Sequence, residues 1–145
     1  MKRILVATDG SDGADRAVDF AAQWSKLYGA DLLIVSVSGG YGLPERIFEK
    51  FTQPQQLWLQ ELLESQAADV LTAARDRARN VGVTMIQLDS RSGDVASTII
   101  EIAREKQANA IVAGKRGAGR VASLLLGSVS QKLVSLAPLP VAIVP

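Results

Sequence analysis

Ile4 to Ala7, Leu32 to Val37, Val83 to Leu88, Ala110 to Ala113 and Val141 to Val144 are short apolar runs, separated by longer segments whose apolar residues return at helical spacing. No other feature narrows the fold as far. A run this short, entered and left through polar or glycine-containing turns, reads as a strand buried on both faces, and the segments between read as helices. Parallel strands need such crossovers, each running over one face of the sheet in the right-handed sense. The alternation therefore predicts an α/β chain with five strands in a doubly wound parallel sheet and helices on both faces. Its 145 residues suit one such unit, so residues 1–145 are expected to form a single domain.

Ala14, Ala17, Val18, Ala21, Ala22 and Ser25 line one side of a first helix that runs to Tyr28 and stops at Gly29. Gly39, Gly40, Gly42, Pro44 and Pro54 then break the pattern, so residues 38–54 are expected to be mostly mobile loop with room for one short helical turn, able to serve as a lid. From Gln55 to Asn80 the residues Leu59, Leu62, Leu63, Ala67, Val70, Leu71, Ala74 and Ala78 make one stripe, read as the core side of a long helix. Asp94 to Lys106, with Ile99, Ile100 and Ala103 inward, and Ser128 to Leu136 complete the helices.

Neither cysteine nor histidine occurs, which excludes disulfides, thiolate nucleophiles, cysteine zinc sites and serine–histidine triads. The N-terminal apolar run ends at Asp9, too soon for a signal peptide, and no segment nears the length of a membrane span, so a cytoplasmic location is expected. A formal charge of +1 gives no reason to expect nucleic acid or a membrane as partner. The distribution of charge says more. From Lys106 to Pro145 there are Lys106, Lys115, Arg116, Arg120 and Lys132 and no acid, which favours an anion there.

That region contains Gly114-Lys-Arg-Gly117-Ala-Gly119, then Gly127-Ser128-Val129-Ser130 at the start of the last helix. Glycine permits positive φ and lets backbone N–H groups approach phosphate oxygens. A helix N-terminus adds unpaired N–H groups and partial positive charge, and the hydroxyls of Ser128 and Ser130 could add donors. Any one of these glycines could equally serve a tight turn or close helix–sheet packing. Together with Lys115, Arg116 and Arg120 they point to an anion site. It is not a Walker loop, because Gly119 is followed by Arg120-Val121 where lysine and a hydroxyl would be needed. Nor is it a dinucleotide fingerprint, since it follows the fourth strand and no acid lies beyond Glu105 to hold a ribose.

The spacing Gly114-x2-Gly117-x9-Gly127-Ser128 resembles the ATP-binding signature of the universal stress proteins. The runs Ile4 to Ser11, Ile111 to Gly114 and Pro140 to Val144 also resemble that family, in the same order. The resemblance implies membership of the ATP-binding subgroup, strand order 3-2-1-4-5, and ATP lying across the ends of strands one, two and four. It implies that Ala7 and Thr8 meet the nucleotide through their backbone and that Asp9 lies near the ribose or a phosphate-bound Mg2+ or Mn2+; the plain alternative makes Asp9 a helix N-cap. Val37 corresponds to the position whose backbone recognises adenine. Ala113, Gly114, Lys115, Arg116 and Gly117 would form the first part of the phosphate loop, and Gly119, Gly127, Ser128, Val129 and Ser130 the rest. Lys115-Arg116 departs from the small or polar residue common after the first glycine, adding charge. The resting ligand could be ATP, ADP or AMP, and a homodimer through the C-terminal strand is implied.

Two function classes follow. One is a stress-response regulator that switches with nucleotide occupancy; the other is a slow ATPase or phosphotransferase, for which Asp9, Asp89 and Asp94 are the candidate acids, without a recognisable catalytic pattern.

Overall fold

Ile4, Leu5 and Val6 have no solvent exposure, on either side of their strand, and that fact locates the middle of the sheet. The computed structural model describes residues 1–39, 45–116 and 125–145. Among these, β1 (Arg3–Ala7), β2 (Asp31–Ser38), β3 (Ile86–Ser92), β4 (Ala110–Gly114) and β5 (Val141–Val144) pair in parallel in the order β3-β2-β1-β4-β5. The expected α/β architecture and strand order are both present.

Strand residues alternate between two layers. Ile4, Val6, Leu32 and Ile34 face α1 (Asp12–Tyr28) and α3 (Gln53–Val81), whereas Leu5, Leu33, Val35 and Ile111 face α4 (Val95–Glu105) and α5 (Ser128–Leu136). Full burial of one such aliphatic side chain is worth about 1.5–3 kcal/mol. The core is thus split into two sheets of side chains, and each helix pair is needed to keep one of them dry.

Local chemistry fixes the helix ends. Ser11 caps α1, its Oγ accepting from the Ala14 N–H at 3.2 Å, with Asp12 and Asp15 in the positive first turn. Gly29 stops the helix at φ 64°, and the six residues expected on its inner side are all buried.

Three expectations need correction. The third strand runs over Ile86–Ser92 and not Val83 to Leu88; Val83 is buried in the turn that follows Gly82. β3 is an edge strand with exposed positions and two charged residues, so no continuous apolar run marks it. Pro54, read as a breaker, is the second residue of α3, where a missing N–H costs nothing. A capping box starts that helix: Thr52 Oγ1 accepts from the Gln55 N–H at 3.3 Å, and the Thr52 N–H donates to Gln55 Oε1 at 2.9 Å. The stripe on α3 is core only in its C-terminal half, because Ala67, Leu71, Ala74 and Ala78 are buried while Leu62 is 42% exposed.

Of the segment expected to be loop, residues 40–44 lie outside the described residues, so its lid role does too. The remainder holds a short helix, α2 (Glu45–Phe48), and the turn leading into α3.

Candidate functional site

All five strands are parallel, so β1, β2 and β4 end on the same side of the sheet. There a cavity of about 510 Å3 opens, within the range of small-molecule sites. The end of β1 contributes Ala7, Thr8 and Asp9; β2 contributes Val37; β4 contributes Ala113 and Gly114. Arg116 and the segment Gly127 to Ser130 close it, and α4 brings Val95 and Ile99.

The β1 end is a hydrogen-bonded turn. The Thr8 N–H donates to the Val35 carbonyl at 2.9 Å, and Thr8 Oγ1 accepts from the Gly10 N–H at 3.2 Å. Gly10 has φ 80°, a left-handed conformation that glycine adopts without strain. Asp9 Oδ1 accepts from the Ser11 N–H at 2.9 Å, which shapes the turn, while the cap of α1 belongs to Ser11 and not to Asp9.

Opposite this turn, α5 begins at Gly127 with no side-chain cap. The N-cap residue makes no side-chain cap hydrogen bond, and the first turn brings its backbone N–H groups and the positive end of the helix dipole to the cavity wall. The Gly127 N–H itself donates to the Lys115 carbonyl at 2.9 Å, so the two parts of the signature are tied to each other.

The described glycines of that signature act differently from expectation. Gly127 has φ −63°, and Gly114 is not among the residues of positive φ. Close approach marks both, strictly at Gly114 and as a tight contact at Gly127. A Cβ on Gly114 would lie 2.9 Å from the Gly13 carbonyl oxygen, and one on Gly127 would lie 3.3 Å from the Lys115 carbonyl oxygen and from Arg116 Cα. Close packing, the plainer alternative, is thus the reason for Gly114: it lets the start of α1 touch β4 backbone to backbone. Gly117, Gly119 and Arg120 lie outside the described residues.

Ser130 also changes role. It is 3% exposed, and its hydroxyl donates to the Gly114 carbonyl at 2.7 Å, with the Lys115 carbonyl at 3.1 Å. The hydroxyl locks α5 to the end of β4 and is not a donor held in reserve. Ser128 is exposed at the cavity. Lys115 is not among the lining residues; its backbone N–H donates to the Val144 carbonyl at 2.7 Å, while Arg116 takes the cavity position.

Of the three candidate acids, Asp9 alone lines the cavity. Asp89 lies 3.2 Å from Arg91, whose guanidinium also meets Glu105 at 2.6 Å and holds that carboxyl below the usual range. Asp94 caps α4, accepting from Ser97 Oγ at 2.6 Å and the Ser97 N–H at 3.0 Å, with Lys132 at 3.5 Å. Those bonds, the Ser97 hydroxyl first, keep its carboxyl more acidic than usual. Among the described residues no group of three or more carboxylates is placed so that it could hold a metal ion. Sequence reasoning missed the apolar wall of Val95, Leu125 and Leu126, and gave Ile99 to the core alone. Nothing in periodicity marks a core-type residue as the lining of a cavity.

The model of the universal stress protein family matches residues 1–145. The chain belongs to that family. It is 36% identical to the Thermus aquaticus "universal stress protein in QAH/OAS sulfhydrylase 3′ region" over 146 residues, spanning 99% of this chain and 98% of that protein. The universal stress protein UspA from Lactobacillus plantarum superposes with a TM-score of 0.82 at 26% identity, covering 99% of this chain and 97% of that one. A universal stress protein crystallised in complex with cAMP superposes with a TM-score of 0.74 at 28% identity, covering 99% and 95%. As a universal stress protein, this chain has its cavity at the carboxyl ends of the strands, beside the switch in strand order at β1, where open α/β sheets bind ligands. No helix among the described residues is long and apolar enough to cross a membrane.

Proposed function

We propose that this universal stress protein is a single-domain, cytoplasmic, ATP-binding regulator of the stress response, in which nucleotide occupancy favours one state of the chain for a partner to read. One observation carries the reading: an α5 N-terminus without a side-chain cap and an apolar wall belong to the same cavity. The first suits phosphate and the second suits a base, and the two chemistries at one site fit a nucleotide better than a bare anion.

In this reading Gly127, Ser128 and Val129 hold the phosphates through backbone N–H groups, with Ser128 Oγ as an added donor. Ser130, Gly114 and Lys115 keep that helix end in place, and Arg116 supplies positive charge. Ala7 and Thr8 flank the nucleotide through their backbone, Asp9 faces the ribose or a phosphate-bound Mg2+ or Mn2+, and the Val37 backbone reads adenine between Val95, Ile99 and Ala113. Gly117 and Gly119 complete the phosphate loop by their place in the signature. ADP or AMP would use the same contacts. The relative crystallised with cAMP supports an adenine nucleotide as the ligand class.

Thermal unfolding tests this. A ligand that binds only the folded chain raises the melting temperature by mass action, so MgATP at millimolar concentration is expected to raise it, MgGTP less, and inorganic phosphate least. Equal shifts from all three would reduce the site to a general anion nest, and no shift would remove the proposal.

A further inference from the structure

No residue of α3 lines the cavity, yet the helix touches a turn that does. Gly10 lies in the Thr8–Ser11 turn at φ 80°, and a Cβ built there would stand 3.0 Å from Val70 Cγ2, 3.7 Å from Cγ1 and 3.9 Å from Cβ. Those three atoms are its nearest neighbours, so the isopropyl group of Val70 fills the space behind the turn. Val70 comes three residues after Ala67 and four before Ala74, which puts it at the flank of the buried stripe, and it is half-buried. Its helix is firmly seated. Ala67, Leu71, Ala74 and Ala78 are buried, and Arg77 meets Asp19 at 2.9 Å and the Asp15 carbonyl at 3.3 Å. A valine on a helix is held in one strongly preferred rotamer, so Val70 gives the turn a stiff support.

Hydrogen bonds inside the turn carry that support to the cavity. The Thr8 hydroxyl accepts from the Gly10 N–H at 3.2 Å and the Asp9 carboxylate from the Ser11 N–H at 2.9 Å, so both cavity side chains are placed by the turn that Gly10 belongs to. We propose that Val70 is a positioning residue for the nucleotide site: by backing Gly10 it holds Thr8 and Asp9 in place across the cavity from α5. The inference rests on the ATP-binding reading and names α3 as the element that tunes it from outside the cavity. Gly10 is then glycine on two counts, its left-handed φ and the side chain behind it.

Calorimetric titration of the full chain with MgATP tests this, each variant first shown to be folded by circular dichroism. Val70→Ala removes both Cγ atoms and is expected to weaken ATP binding about threefold to tenfold, as residues that act on a site without touching its ligand do. Val70→Thr keeps the branched shape and loses apolar character, so it should lower the melting temperature yet bind ATP within about twofold of the parent. Gly10→Ala combined with Val70→Ala is the reciprocal test. The new methyl enters the space that the old ones leave, so the double variant should bind ATP more tightly than Gly10→Ala alone, where independent effects would add to a greater loss. A Val70→Ala protein with the parent's affinity would overturn the proposal, as would equal weakening by alanine and threonine, or a double variant no tighter than Gly10→Ala. If Gly10→Ala fails to fold, the alanine and threonine comparison at Val70 decides alone. A parent that binds no ATP would remove the nucleotide reading and this inference together, a result read before any variant is compared.

Discussion

Gly114 and Gly127 belong to one signature but are glycine for different neighbours. At Gly114 the obstacle to a side chain is the Gly13 backbone, which cannot move without shifting the start of α1. At Gly127 it is the Lys115–Arg116 turn, whose Arg116 lines the cavity. Gly114→Ala is therefore expected to lower stability by about 1–3 kcal/mol, as overpacking does. Gly127→Val should leave the melting temperature of the ligand-free protein nearer to that of the parent and abolish the rise caused by ATP. Melting curves with and without MgATP check both, and a Gly127→Val protein with the full ATP shift would detach this glycine from nucleotide binding. At this scale sequence was a good guide to position and a poorer one to cause. Spacing put glycines and serines where the cavity is, but only coordinates separate positive φ from close approach, or a free hydroxyl from one spent on the Gly114 carbonyl.

Among the elements, α4 and α5 are joined by charge as well as by packing, since Asp94 both caps α4 and meets Lys132 of α5. Its folded carboxyl is more acidic than usual. The stability it contributes is accordingly present above the ordinary carboxylate range and lost as pH falls through the lowered value. Asp94→Asn keeps a cap oxygen but does not titrate, so its melting temperature should fall less steeply below about pH 4 than that of the parent. Parallel curves for the two proteins would show that Asp94 titrates alike in the folded and unfolded chains. Legibility of the elements followed their burial. β1, β2 and β4 are covered on both faces and were plain as apolar runs, and α1 was plain from its single stripe. β3 was misplaced because an edge strand needs no such run. The N-terminal half of α3 is less legible because its apolar residues continue past the place where the sheet stops covering the helix.

For the molecule as a whole, the two edges of the sheet differ. β3 carries Asp89 and Arg91, the latter tied to Glu105, whereas β5 is Val-Ala-Ile-Val with no charge. Charges on an edge discourage pairing and their absence permits it, which supports a homodimer formed through β5. The Pro140 and Val144 carbonyls accept from the Ile111 and Lys115 N–H groups of the β4 side, so by the two-residue repeat of a strand the Val141 and Ile143 N–H groups point outward. Ile143→Pro removes an outward donor and leaves the β4 ladder intact. Light scattering at micromolar concentration should show a folded protein of half the parent's mass; an unchanged mass would put that interface elsewhere. Strand order at this scale came from family likeness, because periodicity predicts strands and crossovers but not which strands become neighbours. The unequal edges also set a stopping rule. A sheet that accepted new strands at both margins would add copies without end, as a fibril does, whereas one with a single receptive margin is used up by its first partner, so growth in that direction ends at a pair.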